Sequence, residues 1–285
     1  MTTALAIVTT VIDKKLVEQV QRQQRGPKGY GLLAVTRTLL YAVMEEVFST
    51  RKLHRRLGKK PWVAQKLGLP RCPDKRTLDR WKRRYWHELE QLVTLLGDRY
   101  LILQRGREWT ILDSTPLEDP NDPDARVGYT SRGEFKGFKV HQSCDEHSVP
   151  LRALVTTGNI HDSVPAAQLL APTPRVGGDA GYDAAWLKKL IMQQGSTPYV
   201  VHNPRREGTH AKRPTPPELK AVRFKVEEAN SILKNEALRR AWTHVKGYAA
   251  KATFALAGVL TLQALAIYNV LTRGWPVLRL SEVRI

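Results

Sequence analysis

The chain has 285 residues, 42% hydrophobic and 26% charged, the proportions of a folded protein with room for one large core or two modest ones. Its 46 Lys and Arg against 27 Asp and Glu leave a formal charge of +19, the footprint of a polyanion partner; nucleic acid fits better than a membrane, because no polybasic segment flanks an apolar span. Two distant cysteines, Cys72 and Cys144, argue against a disulfide framework or a cysteine-bound metal, and the apolar amino terminus lacks the basic flank and cleavage site of a signal peptide.

Residues 1–100 read as helical. After a basic segment and the Gly/Pro loop at 25–31, apolar residues recur at helical spacing from Leu32 to Phe48. Ser49 or Thr50 is placed to cap a helix through Leu57. A break at Gly58–Pro61 and a short helix from Trp62 to Leu67 follow, and then a basic helix begins at Lys75. On that helix Leu78, Trp81, Tyr85 and Leu89 form the apolar face, while Arg76, Arg80, Lys82, Arg83 and Arg84 crowd the rest. Short helix, turn and basic helix over about 49–90 form a helix-turn-helix-like arrangement suited to DNA. The first hundred residues carry 21 Lys and Arg against 9 Asp and Glu, so most of the excess charge sits there.

Helical periodicity stops near Gly97–Gly106, and the pattern changes to strands over a second domain, 101–285. Glu108–Asp113 is a β-prone run ending in a carboxylate, and 114–134 reads as a polar loop. Strands are expected over Phe135–Ser143 and Pro150–Thr157, and a helix over 158–170. A strand from Val176 ends at Asp179 in a Gly-Gly-Asp-Ala-Gly turn, where open α/β sheets place their ligands. A helix to Gln194, a strand at Tyr199–Val201 and a basic loop at 203–217 complete the run. The order implies an α/β fold with a mixed sheet flanked by helices. The apolar stretch 249–272 contains Lys251, Thr253, Thr261, Gln263 and Asn269, and reads as a core helix of this domain rather than a membrane span.

Glu218–Ala241 reads as one amphipathic helix. Arg223, Glu227, Ser231 and Lys234 lie along one side of it, next to an apolar stripe facing the sheet. Alone this is a helix with salt-bridge partners. Combined with Asp113 and Asp179 it gives two aspartates at adjacent strand ends and a glutamate on the crossing helix. Such an all-oxygen set suits Mg²⁺ or Mn²⁺, and a pair of such ions promotes in-line displacement at a phosphodiester.

The sequence resembles the DDE transposases of prokaryotic insertion sequences, in the group with a Tyr-x2-Arg-x3-Glu-x6-Lys helix. Arg223, Glu227 and Lys234 keep that spacing, whereas Lys220 stands at the tyrosine position. Leu112-Asp113-Ser-Thr, Gly137-Phe-Lys-Val-His141, Gly158-Asn-Ile-His-Asp162 and Asp179-Ala-Gly-Tyr-Asp183 match in order and spacing, from about Thr110 to Asn269. The resemblance implies a ribonuclease-H-like core, with Asp113, Asp179 and Glu227 as a catalytic triad holding Mg²⁺ or Mn²⁺ in two-ion fashion. It further implies cleavage of double-stranded DNA at element ends, joining to target DNA, and a homodimer on DNA in the cytoplasm, associated with the nucleoid. Arg223 and Lys234 are expected at phosphate near the scissile bond, with Lys139 and the α-helical arginines as further DNA contacts. His161 and Asp162 read as a turn and cap, and Asp183 as the cap of the following helix. The tryptophans read as core. An endonuclease or resolvase on the same fold, or a non-catalytic DNA-binding remnant, is the alternative reading.

Overall fold

The computed structural model describes residues 3–20, 29–130, 133–204, 213–239 and 241–283. Most of the expected loop at 25–31, and the middle of that at 203–217, lie outside the described residues. By its contacts the chain divides into two units: Met1–Leu96 with Leu233–Ile285, and Gly97–Ile232.

The chain begins with seven helices: α1 (Thr3–Val11), α2 (Lys14–Glu18), α3 (Leu32–Met44), α4 (Thr50–Lys59), α5 (Pro61–Lys66), α6 (Lys75–Arg84) and α7 (Trp86–Leu103). Local chemistry sets their starts. Asp13, Ser49 and Asp74 each accept a backbone N–H at the head of α2, α4 and α6, and Pro61 opens α5 where no N–H is needed. The helix-turn-helix-like run therefore appears as α4–α5–α6, with Leu53, Leu57, Val63, Leu78 and Trp81 turned inward. Lys82, expected on the charged face, instead donates to the Phe48 carbonyl at 2.9 Å and to Thr50 Oγ1 at 3.4 Å. It ties α6 to the start of α4. Periodicity does not stop at Gly97, since α7 runs on to Leu103.

Six strands follow: β1 (Trp109–Glu118), β2 (Arg126–Thr130), β3 (Gly133–Cys144), β4 (Pro150–Thr157), β5 (Arg175–Gly178) and β6 (Thr197–Val200), with α8 (Ala185–Gln193) between the last two. β1 pairs antiparallel with β3 and parallel with β5, which pairs parallel with β6. The other edge of β3 takes β2 along Gly133–Gly137 and β4 along Phe138–Cys144. This is a mixed sheet flanked by helices, as the order of elements in the sequence implied. Residues 114–134 are not all loop: Ser114–Glu118 continue β1, and β2 is an exposed strand with only Gly128 buried, its Val127 and Tyr129 facing solvent. Conversely, the helix expected over 158–170 shrinks to a 3₁₀ turn, Ala166–Leu169, after Pro165.

Alternation along β1 divides the core. Leu112 packs with Leu154, Val176, Tyr182, Leu187 and Ile191 on one face, whereas Trp109 and Ile111 pack with Cys144, Leu219, Val226 and Ala229 on the other. Where α7 meets β4, a Cβ on Gly97 would lie 2.0 Å from the Leu151 carbonyl oxygen. Backbone cannot yield as a side chain can, so Gly97→Ala should cost about 3 kcal/mol by overpacking. Urea unfolding is the measurement, and a loss below about 0.5 kcal/mol would refute so close an approach.

The helix expected from Glu218 to Ala241 is segmented into α9 (Pro217–Val222), a turn at Arg223, α10 (Phe224–Ile232) and a π-helical turn, Leu233–Ala237. α11 (Tyr248–Arg273) is long and apolar enough to cross a membrane by length and composition, yet most of it is buried. Its neighbours are α1, α3 and α6, and Gln263 donates to the Val93 carbonyl at 2.9 Å. It therefore groups with the helical unit and not with the sheet as expected. A helix apolar on nearly every side needs helices around it, which the helical unit supplies.

Candidate active site

The parallel register of β1 and β5 ends at the pair Leu112 and Gly178. Asp113, still within β1, and Asp179, just past β5, are the next residues in that register, so the two carboxylates are neighbours. Asp179 Oδ1 accepts the Gly181 N–H at 2.8 Å, closing the turn. Asp113 shares its face with Trp109 and Ile111, and therefore looks toward α10. There Asn230 Nδ2 donates to Asp113 Oδ2 at 2.7 Å and is itself held by Gln142 Nε2 at 2.6 Å. Burial pushes the Asp113 carboxyl up to about 7, with the charges of Asp179 and Asp162 adding to it; the Ser114 N–H and Arg223 work the other way. Asp179 is raised too, by burial and then Asp162, against the Gly181 N–H and Arg223.

The glycines beside Asp179 differ in what they make room for. A Cβ on Gly177 would sit 2.6 Å from Leu219 Cδ1, and one on Gly178 would sit 3.1 Å from the Tyr182 ring, so both make room for packing. Gly181 is the one beside the carboxylates: a Cβ there would lie 2.9 Å from Asp179 Oδ1.

A third aspartate enters from the opposite face of the sheet. Asp162 Oδ1 accepts from Ser114 Oγ and from Lys139 Nζ, both at 2.9 Å. Lys139 also donates to the Ile160 carbonyl at 3.1 Å and is only 5% exposed. This corrects the expectation that Lys139 points toward DNA: alternation on β3 turns it inward, where it is the counter-charge of Asp162. His141, on the same face, is buried, bonded through Nε2 to Thr156 Oγ1 at 2.8 Å, and held near 4 chiefly by desolvation. The His161 part of the turn is as read, its Nδ1 meeting Ser163; Asp162 is more than a cap.

On the helical side, Arg223 occupies the turn between α9 and α10, and its Nη2 lies 3.8 Å from Glu227 Oε1. Both side chains are exposed, and with Lys220 and Phe224 they line a shallow groove. Glu227 lies one turn before Asn230 on α10, but its side chain is 65% exposed and pairs with Arg223 rather than with either aspartate. Lys234 falls in the π-helical turn, in the other unit; the widened turn breaks the even spacing expected from Arg223 to Lys234. Asp183 does not cap α8, whose first flanking residue is Ala184. It accepts the Asn203 N–H at 2.6 Å and pairs with Lys188 and His202. In the helical unit, Arg76, Arg80 and Arg83 are exposed and Arg84 half-buried, lining a groove with Trp86 and His87. Trp81, Trp109 and Trp242 are core residues, whereas Trp186 is 48% exposed.

Asn230, Ser114 and Asp162 were not legible as site residues. The available signal was a polar residue beside Ala229 on a buried helical stripe, and a carboxylate inside the Gly158–Asp162 fragment. Among the described residues no three His, Cys, Asp or Glu side chains close on one point as a metal-ligand set. The donor chemistry nevertheless suits a hard divalent cation. The donors are carboxylate oxygens, and the three aspartates outnumber Lys139 and Arg223, the cations set among them.

Asp113 within β1 and Asp179 just past β5, neighbours in register on a mixed sheet, with Arg223 in the turn before α10 and Glu227 on it, give an α/β domain with an acidic site. The family described as the transposase DDE domain matches residues 104–263, more than half of the chain. The chain belongs to that family, and its function is that of a transposase. Among solved structures, a piggyBac transposase synaptic complex with hairpin DNA is similar at 11% identity and a TM-score of 0.43, over 98% of this chain and 75% of that one. Comparison with curated proteins returns no match.

Proposed function

We propose that this transposase cuts double-stranded DNA at the ends of a mobile element and joins the freed 3′-hydroxyl to target DNA. The observation that carries the reading is the adjacency of Asp113 and Asp179 in the register that follows the last parallel pair of β1 and β5. Asp113, Asp179 and Glu227 are the catalytic carboxylates and would hold Mg²⁺ or Mn²⁺, as two ions. Bound there, the ions supply Lewis-acid stabilisation of the attacking and leaving oxygens of a phosphodiester. The protein's own contribution is positional. Asn230 and the Gly181 N–H fix one oxygen each of Asp113 and Asp179, leaving the carboxylates oriented before substrate arrives. Arg223 offers a guanidinium to a phosphate beside the carboxylates, and Lys234 is assigned the same task.

The charge of +19 supports DNA as the partner, with the four α6 arginines as the contacts of the helical unit. We assign the helical region 1–100 to end recognition and 101–232 to chemistry. Two element ends call for two copies, hence a homodimer on DNA, working in the cytoplasm at the nucleoid.

The test uses the purified chain, a linear fragment carrying the inverted repeats that flank the gene, and a supercoiled target plasmid. With Mg²⁺ or Mn²⁺ the expected products are nicked ends and joined target; chelation abolishes both. Hydrolysis without joining would convert the reading to an endonuclease, and binding without either product to a non-catalytic remnant.

A further inference from the structure

Asp162 is a carboxylate that the triad leaves unused, and its two oxygens have different surroundings. Oδ1 is occupied by Ser114 Oγ and Lys139 Nζ, with His141 Nδ1 at 3.6 Å. Oδ2 takes no hydrogen bond among the described residues. It faces Gly181, where a Cβ would lie 3.6 Å from it and 2.9 Å from Asp179 Oδ1. One oxygen is thus anchored to β1 and β3, and the other is left beside the Asp179 turn.

Two polar atoms on fully buried side chains, the Tyr182 hydroxyl and His141 Nδ1, have no hydrogen-bond partner among the described residues. The Tyr182 hydroxyl is within electrostatic range of Asp162, Asp113 and Asp179 together. Native interiors leave few such atoms unpaired. A hydrated cation among the three aspartates would bring water into their reach, since Mg²⁺ usually keeps several of its waters.

We propose that Asp162 is a working part of the acidic site, a positioning residue whose charge strengthens divalent-cation binding at Asp113 and Asp179, with Lys139 as the built-in counter-charge opposing it. This rests on the cation-binding reading given above. It makes opposite predictions for two residues joined by one salt bridge. Removing the anion at Asp162 weakens the cation, whereas removing the ammonium at Lys139 strengthens it. A purely structural salt bridge would respond alike to loss of either member.

The experiment titrates the full chain with Mn²⁺ in the absence of DNA and follows free Mn²⁺ by electron paramagnetic resonance. Asp162→Asn should weaken binding roughly 10-fold or more, the scale on which outer-shell partners act. Lys139→Met should tighten it several-fold, and Lys139→Arg should restore the parent value. Asp162→Asn at parent affinity, or equal weakening in both variants, overturns the proposal. If Asp162→Asn does not fold, Lys139→Met decides alone, because tighter binding supports the proposal and unchanged or weaker binding refutes it. Asp113→Asn separates this from the underlying reading: if that variant keeps parent affinity, the cation does not sit at these aspartates and both fall. If it loses binding while Asp162→Asn does not, only the role of Asp162 fails.

Discussion

Asp113→Asn should reduce cleavage at element ends by 1000-fold or more while making the metal-free protein more stable at neutral pH. The two effects share one cause. Asp113 is placed where an anion is costly, and burial with two neighbouring aspartates lifts its carboxyl from an ordinary value near 4 to about 7. In that window the folded chain binds a proton that the unfolded chain releases. The parent's stability from this group is therefore fully present below about pH 4 and is lost as pH rises through about 7. Asparagine has no charge to desolvate and still offers an amide oxygen to Asn230. In chelator its melting temperature should exceed the parent's by roughly 2–5 °C at pH 7.5. At pH 4 the two should coincide. A variant that melts below the parent at neutral pH would show that Asp113 is satisfied without a cation, and the site would lose its physical basis. Retained cleavage would remove Asp113 from the chemistry, since the loss of a group that acts on the reacting atoms shows directly in the rate.

Replacing Arg76, Arg80, Arg83 and Arg84 together by alanine should weaken DNA binding roughly 100- to 1000-fold at 0.15 M salt and lower the salt slope by about 3–4. None of the four forms an ion pair among the described residues, and they line one groove on α6. The apolar residues that hold α6, Leu78 and Trp81, stay in place, and so does the Lys82 tie to Phe48. Thermal stability should therefore change little. Fluorescence anisotropy across a salt series reads both numbers. An unchanged slope would mean that these arginines are a solvated face and that recognition lies elsewhere.

What could be read before any coordinates follows from which interactions are local. Ser49 announces a helix start because a cap bonds a backbone N–H only three residues on. β4 stood out as a β-prone run between turns, although it is buried continuously from Pro150 to Val155, and α8 because Leu187 and Ile191 recur at helical spacing. β2 did not, because it is a short, exposed edge strand held by backbone pairing to β3 rather than by a buried face. The helix over 158–170 failed for the opposite reason: its composition was suitable, but Pro165 and the packing of Ala166 and Leu169 on the sheet allow only a short turn.

Order and spacing of the acidic fragments were enough to carry the resemblance to DDE transposases, the family that the match over residues 104–263 shows, and the proposed triad of Asp113, Asp179 and Glu227 comes from that resemblance. The charge count likewise pointed to a polyanion without any fold. Only the tertiary structure decided which residues surround the aspartates. Asn230 reaches Asp113 from 117 positions away, and Asp162 arrives from the far face of the sheet with Lys139 as its counter-charge. It also decided that α11 serves the helical unit. These are long-range pairings, set by which faces can be buried against one another, and a one-dimensional pattern carries no record of that choice.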